Sequence, residues 1–337
     1  MPRLRRSDCS GPGIRRRGRG TGFEYLDEDE NRIEDPEVLG RIAELSVPPA
    51  WRDVWICDDP LGHLQAAGVD AAGRKQYLYH QRWRDRRDQE KFDRMLDFAR
   101  ALPRIRRCVS HDLAVDDATR DRVLAGAVRL LDRGFFRIGG EDYAEDNDSY
   151  GLATMRKRHV TLDGDEIVFD YESKGGKRRI QGITDPELRP LIARLKRRRG
   201  GGEELLAYRN GRRWIDVRSD DVNAYVKAAA AAEFSAKDFR TWSATVLAAV
   251  ALGAMPAPET KTARKRRIDD AVKGVAAFLG NTPAVCRASY IDPRVFDRYR
   301  GGSSIAAALR RAGSLEEAYA PSAQRRIERA VMRLISS

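Results

Sequence analysis

The stretch Leu279–Pro293, LGNTPAVCRASYIDP, dictates one helix, its stop and the start of another. Ahead of it Ile268, Val272, Val275, Ala276 and Leu279 recur at helical spacing. Gly280 stops that helix, because glycine enters the left-handed conformation without the steric cost of a Cβ. Thr282 and Pro283 restart a helix as N-cap and first helical residue, and Pro293 limits its length. Tyr290 then falls near the end of a short helix, with Cys286 one turn back. Taken alone, Tyr290 is most simply a core tyrosine with its hydroxyl satisfied.

The rest of the chain sets what surrounds that corner. Its 337 residues suggest about two domains, and 42% apolar content suffices for a sizeable core. No run approaches the ~18 apolar residues of a membrane span. The start, MPRLRRSDCSGPGIRRRGRG, lacks the apolar stretch of a secretory leader. Cys9, Cys57, Cys108 and Cys286 lack CxxC spacing, which argues against a zinc site or disulfide framework and fits a reducing cytoplasm. Lys plus Arg number 63 against 51 acidic residues, a net +12 that favours a polyanionic partner, most simply nucleic acid. Arginine dominates, and a guanidinium grips phosphate bidentately where lysine acts as a point charge.

Residues 1–22 are Gly/Arg-rich without periodicity and read as a disordered basic arm. Residues 23–85 read as a β-rich domain and 86–337 as a mainly helical one. Within Trp51–Trp83 the pattern is strand, turn, strand, turn, strand. The third strand sets Lys75, Tyr77 and Tyr79 on one face and Gln76, Leu78 and His80 on the other. Beside Arg74, the aromatic face suits base stacking and phosphate contact, or packing as a sheet face with a charged rim. Helices are expected over Arg84–Leu102, Arg104–Asp112 and Asp117–Leu131, then short strands over Met155–Leu162, Glu166–Glu172 and Lys177–Ile183. Lys174 sits in the SKGG turn between the last two, ordinarily a solvated position. Helical patterns resume at Leu188–Arg199, Asp220–Ala232, Phe239–Leu252, from Arg264 to the Gly280 stop, Ser303–Ala312 and Pro321–Ile335.

The sequence shows no HxH, HExxH or carboxylate cluster with metal spacing, and no GxxxxGK[ST] for a nucleotide. If a chain like this cuts a phosphodiester, ordinary side chains supply the parts. A tyrosine can attack phosphorus, arginines can neutralise the nonbridging oxygens, and a lysine can protonate the leaving hydroxyl. Arg137, Lys174, Arg240 and Tyr290 are candidates for those roles.

The segments FFRIGGEDY, YESKGGK, KDFRTW and LGNTPAVCRASY closely resemble the catalytic segments of type IB DNA topoisomerases, specifically the poxvirus-like bacterial branch. The resemblance extends upstream through PPAWRDVWICDDPLGHLQAAGVDAAGRKQYLYH and covers roughly residues 23–300. It implies an α+β fold: a two-domain clamp with a small β-rich N-terminal domain. Its second domain would be a mainly helical tyrosine-recombinase/topoisomerase-IB-like catalytic domain with a three-stranded sheet. It implies that Tyr290 is the nucleophile that joins a DNA 3′ phosphate. Arg137 and Arg240 would clamp the scissile phosphate, Arg137 also helping to expel the 5′ hydroxyl, and Lys174 would be the general acid. Arg74, Gln76, Tyr77 and Tyr79 match the family's groove-contacting strand, and Tyr143 matches another DNA-contacting tyrosine. The family often carries histidine where this chain has Asn281, which can donate an N–H to phosphate but bears no charge.

The implied activity is relaxation of positive and negative supercoils with no cofactor, metal or ATP. It would act as a cytoplasmic, nucleoid-associated monomer closing around duplex DNA. A tyrosine recombinase is the main alternative, yet recombinases usually carry HxxR where this chain reads Lys237-Asp238-Phe239-Arg240. A catalytically inactive DNA-binding protein is the other, and it predicts loss of one of the four key side chains.

Overall fold

The computed structural model describes residues 2–141, 148–256, 258–312 and 321–336. The chain divides into two compact units, Met1–Lys91 and Phe92–Ser337.

The first unit is an antiparallel sheet of β1 (Ile14–Arg19), β2 (Gly22–Leu26), β3 (Arg52–Ile56), β4 (Leu64–Val69) and β5 (Lys75–Tyr79), in the order β2-β1-β3-β4-β5. Alternation along β3 divides its apolar side chains between the two faces. Val54 and Ile56 pack with Ile14, Ala66 and Ile42, the last from α1 (Pro36–Glu44). Trp55 faces the other way, toward Cys57, Leu64 and Ala67. Asp35 caps α1 by accepting the Glu37 N–H.

Residues 1–22 correct the expectation of a disordered arm. β1 pairs with β2 through the two-residue turn Gly20-Thr21, Gly20 at φ 58°, and on its other edge with β3. Arg16 donates to the carbonyls of Pro48 and Trp51, at 3.1 and 2.6 Å. Ser7 Oγ donates to the Leu64 carbonyl at 2.8 Å. The arginines hid the strand because only Ile14 of β1 is buried, so no apolar alternation marks it.

The division falls inside a continuous helix, α2 (Gln81–Leu113), rather than at residue 85. Pro103 does not break it as the sequence suggests. Phe98, Leu102, Ile105, Val109 and Leu113 keep one buried phase across the proline. Burying several such side chains at roughly 1.5–3 kcal/mol each outweighs the ~3 kcal/mol proline penalty.

In the second unit α3 (Arg120–Gly134) leads to the expected three-stranded sheet, β6 (Val160–Asp163), β7 (Glu166–Ser173) and β8 (Lys177–Thr184), in that order. The segment before Val160 is a loop and a 3₁₀ turn, Lys157–His159, where a strand was expected. A hairpin not foreseen, β9 (Ala207–Asn210) with β10 (Arg213–Asp216), follows α4 (Arg189–Arg197). Then come α5 (Ser219–Ala230), α6 (Ala236–Gly253), α7 (Lys261–Leu279), α8 (Pro283–Ser289), α9 (Pro293–Arg300), α10 (Ala306–Arg310) and α11 (Pro321–Ser336). Arg106 ties α2 to α3 and α11, bonding Asp132 at 2.7 Å and Glu328 at 2.8 Å. The fold class is α+β, as expected. Among the described residues no helix is long and apolar enough to cross a membrane.

Candidate active site

Tyr290 stands where the Gly280 corner delivers it. Gly280 ends α7 at φ 64°, and Thr282 caps α8 by accepting the Val285 N–H at 3.3 Å. Tyr290 closes α8, its N–H bonded to the Cys286 carbonyl at 3.0 Å. Its side chain is partly buried. Beyond it Asp292, fully buried, caps α9 and receives the Arg294 guanidinium at 2.7 Å, which fixes the corner from its far side.

Arg137 leaves the end of α3, where Phe135 turns the chain at φ 55° and Phe136 anchors it against Phe169 at 4.8 Å. The Leu152 N–H donates to the Arg137 carbonyl at 2.8 Å, and Ala153 to that of Ile138 at 2.7 Å. Gly139 and Gly151 touch backbone to backbone: a Cβ on Gly151 would lie 2.3 Å from Gly139 Cα. Only glycine permits that approach, which explains Gly139 and Gly151. Arg137 Nη2 then donates to the Gly280 carbonyl at 2.9 Å and to Asn281 Oδ1 at 2.5 Å.

Arg240 lies in the opening turns of α6 and is 3% exposed. It donates to the Phe135 carbonyl and, at 3.0 Å, to the Leu279 carbonyl. Its guanidinium carbon sits 5.5 Å from the Tyr290 ring centre. Burial pushes the guanidinium down to about 10, with repulsion from Arg137 and Arg179 adding to it and Tyr290 opposing. Its Nε is buried with no partner among the described residues. A buried cation held by neutral carbonyls is a poor structural strut and a ready anion receptor.

Lys174 is exposed on the β7–β8 hairpin, where Ser173 pairs with Lys177 and Gly175 and Gly176 take φ 84° and 67°. These glycines make the tight tip possible. A cleft of about 590 Å³ is lined by Arg137, Lys174, Arg240, Asn281 and Tyr290, joined by Lys177 and Lys237. No carboxylate lines it among the described residues. All five side chains expected to work together therefore meet in one cationic cleft.

The remaining expected contacts other than Tyr143 lie in the first unit. Lys75, Tyr77 and Tyr79 share the exposed face of β5, with Lys75 Nζ 5.8 Å from the Tyr77 ring centre. Arg74 and Gln76 are both held by Asp70, each at 2.9 Å. Tyr143 lies outside the described residues.

Sequence reasoning missed Arg179 on β8. It is partly buried, and burial lowers its pKa, with Tyr171 opposing and Arg137 adding to the shift. The available signal was strand alternation, which puts Arg179 on the same sheet face as buried Ile183, opposite buried Tyr171.

Two family models match the chain. "Eukaryotic DNA topoisomerase I, catalytic core" matches residues 80–307, and "Bacterial DNA topoisomerase IB, N-terminal domain" matches residues 22–70. The chain belongs to the type IB DNA topoisomerases. Family membership makes it an isomerase that acts on DNA, and a match over residues 80–307, which include the cleft, favours this family over the recombinases. DNA topoisomerase 1B of Acanthamoeba polyphaga mimivirus is 30% identical over 86% of this chain and 88% of its own length. DNA topoisomerase 1 of rabbit fibroma virus is 21% identical over 80% of this chain and 84% of its own. DNA topoisomerase 1B of vaccinia virus (strain Copenhagen) is 24% identical over 41% of this chain and 44% of its own.

Proposed function

We propose that this topoisomerase relaxes positive and negative supercoils through a 3′-phosphotyrosyl intermediate, using neither ATP nor metal. The Tyr290 oxygen attacks phosphorus, its hydroxyl proton passing to water, while Arg137 and Arg240 hold the nonbridging oxygens. The 5′ oxygen departs with a proton supplied by Lys174. The phosphotyrosyl ester conserves the bond energy, so the freed strand swivels and the 5′ hydroxyl reseals it by the reverse step. The face of β5 would contact the duplex, which the enzyme closes around as a monomer, on nucleoid DNA in the cytoplasm. The convergence of Tyr290, two arginines, a lysine and Asn281 in one cleft without a carboxylate among the described residues carries this reading.

The test is plasmid relaxation in EDTA without nucleotide. The wild-type protein should relax both signs of supercoil. Tyr290→Phe should bind duplex nearly as well and form no covalent adduct. An adduct with the Phe variant would overturn the assignment, and a wild-type protein inactive in EDTA would overturn metal independence.

A further inference from the structure

A second cleft, of about 620 Å³, adjoins the catalytic one and shares Lys177, Gly280 and Asn281 with it. Four cationic residues line it, and they are not equivalent. Arg133 is paired with Asp185 at 3.1 Å and Arg178 with Asp170 at 2.6 Å. Arg179 meets no carboxylate among the described residues. Its Nε donates to Gln181 Oε1 at 2.5 Å and its Nη2 to the Gly134 carbonyl at 3.4 Å. Its Nη1 flanks Gly280, 3.5 Å from where a Cβ would stand, with Arg137 Nη1 at 3.9 Å on the same corner. A partly buried guanidinium has thus been given neutral partners and two neighbouring arginines, an arrangement that loses hydration without gaining a counter-ion. Two exposed apolar side chains also line it: Phe278 is 53% exposed and Ile180 60% exposed, with Phe278 edge-on to Phe135 at 4.9 Å.

We propose that this cleft is a subsite for the nucleotide next to the scissile phosphodiester, with Arg179 Nη1 and Lys177 holding its phosphate and Phe278 and Ile180 its sugar and base. The inference rests on the transesterification reading above. Its cationic and apolar lining residues match the phosphate and the sugar and base of a nucleotide. The shared wall at Gly280-Asn281 places the subsite beside the phosphate that Arg137 and Arg240 would hold. Arg179 is then a positioning residue that fixes the strand's register against Tyr290.

Neutral phosphates test this. Duplexes carrying one methylphosphonate, walked along the cleaved strand, are cut under single-turnover conditions by wild type, Arg179→Met and Arg179→Lys. One position flanking the scissile phosphate should slow wild type by about 10- to 100-fold, the range for losing a charged hydrogen bond. The same position should add almost nothing to the defect of Arg179→Met. Arg179→Lys should recover part of the rate on unmodified DNA. Should Arg179→Met fail to fold, Phe278→Ala and the wild-type walk still decide. Phe278→Ala should slow cleavage with abasic substitution at that nucleotide adding little. Wild-type cleavage indifferent to every flanking methylphosphonate overturns the subsite alone, as does a penalty that multiplies with Arg179→Met. No adduct from wild type on unmodified duplex overturns the transesterification reading and the subsite with it.

Discussion

Asn281 Oδ1 accepts a hydrogen bond from Arg137 Nη2 at 2.5 Å. The amide therefore orients an arginine of the cleft, and its own Nδ2 is left buried with no partner among the described residues. Capping of α8 is done by Thr282 instead. A buried orphan donor beside a cationic cleft has a purpose once a phosphate oxygen arrives.

Asn281→Ala should therefore cost rate and not stability. Losing one hydrogen bond to a charged oxygen, together with the hold on Arg137, predicts a cleavage rate down by roughly 10- to 200-fold. The melting temperature should stay within a degree or so, because no cap is lost. Asn281→His should retain most activity, since a ring N–H can reach the same oxygen. Single-turnover cleavage and thermal melts, run side by side, check this. A lower melting temperature with a small rate loss would return Asn281 to a structural role.

Lys174→Ala should slow cleavage of ordinary DNA by ~10²–10⁴-fold, the usual range for a general acid. A 5′-bridging sulfur at the scissile bond removes the need for a proton, because a thiolate is a good leaving group. That substrate should restore Lys174→Ala to near the wild-type rate. A variant equally slow on both substrates would give Lys174 another role.

His159 predicts a loss of stability on acidification. Burial lowers its pKa, with Arg158 and Arg156 adding to the shift. Its Nδ1 accepts the Arg156 N–H at 3.2 Å, and its ring lies 4.4 Å from that of Tyr150, which lines the cleft. The unfolded chain takes up a proton near 6.5 while the folded ring still resists it. Between 6.5 and the lower folded value the unfolded state binds more protons, so stability falls as pH falls through that window and levels off below it. His63, lowered mainly by burial in the first unit, contributes with the same sign. Urea midpoints measured from pH 8 to 5 should show a shallower decline for His159→Gln than for wild type.

The cleft was more legible in the sequence than the scaffold that shapes it. Gly280, Thr282 and Pro283 each announce a backbone conformation by residue type alone, so the corner under Tyr290 could be written down before its tertiary contacts were known. The same logic failed at Pro103, where long-range burial on both sides of the proline overrides a local signal. It failed again at β1, whose pairing lies in backbone hydrogen bonds while its side chains are mostly arginine. The Arg137–Asn281 bond spans 144 positions and leaves no local trace, which is why the sequence suggested a direct phosphate contact for Asn281 and not this bond. Arg179 went unnoticed for the reverse reason. In a chain with 63 Lys and Arg residues, one more arginine means nothing until it is seen to meet no carboxylate among the described residues.

The face of β5 predicts an unequal pair of mutants. Lys75 is exposed and forms no salt bridge among the described residues, with only the field of Asp8 nearby, whereas Arg74 is already bonded to Asp70 at 2.9 Å. A lysine that neutralises one phosphate releases about one counter-ion, so the slope of log K against log salt should flatten by roughly 0.9 in Lys75→Ala. Arg74→Ala should flatten it less, because part of its charge is spent on Asp70 before DNA arrives. Asp70→Asn should then tighten binding by freeing Arg74, and the gain should disappear at high salt. Titration of a fluorescent duplex across a salt series measures all three. Unchanged slopes for both cation variants would remove β5 from the DNA interface, and a larger effect for Arg74 than for Lys75 would mean that Arg74 leaves Asp70 when the duplex binds.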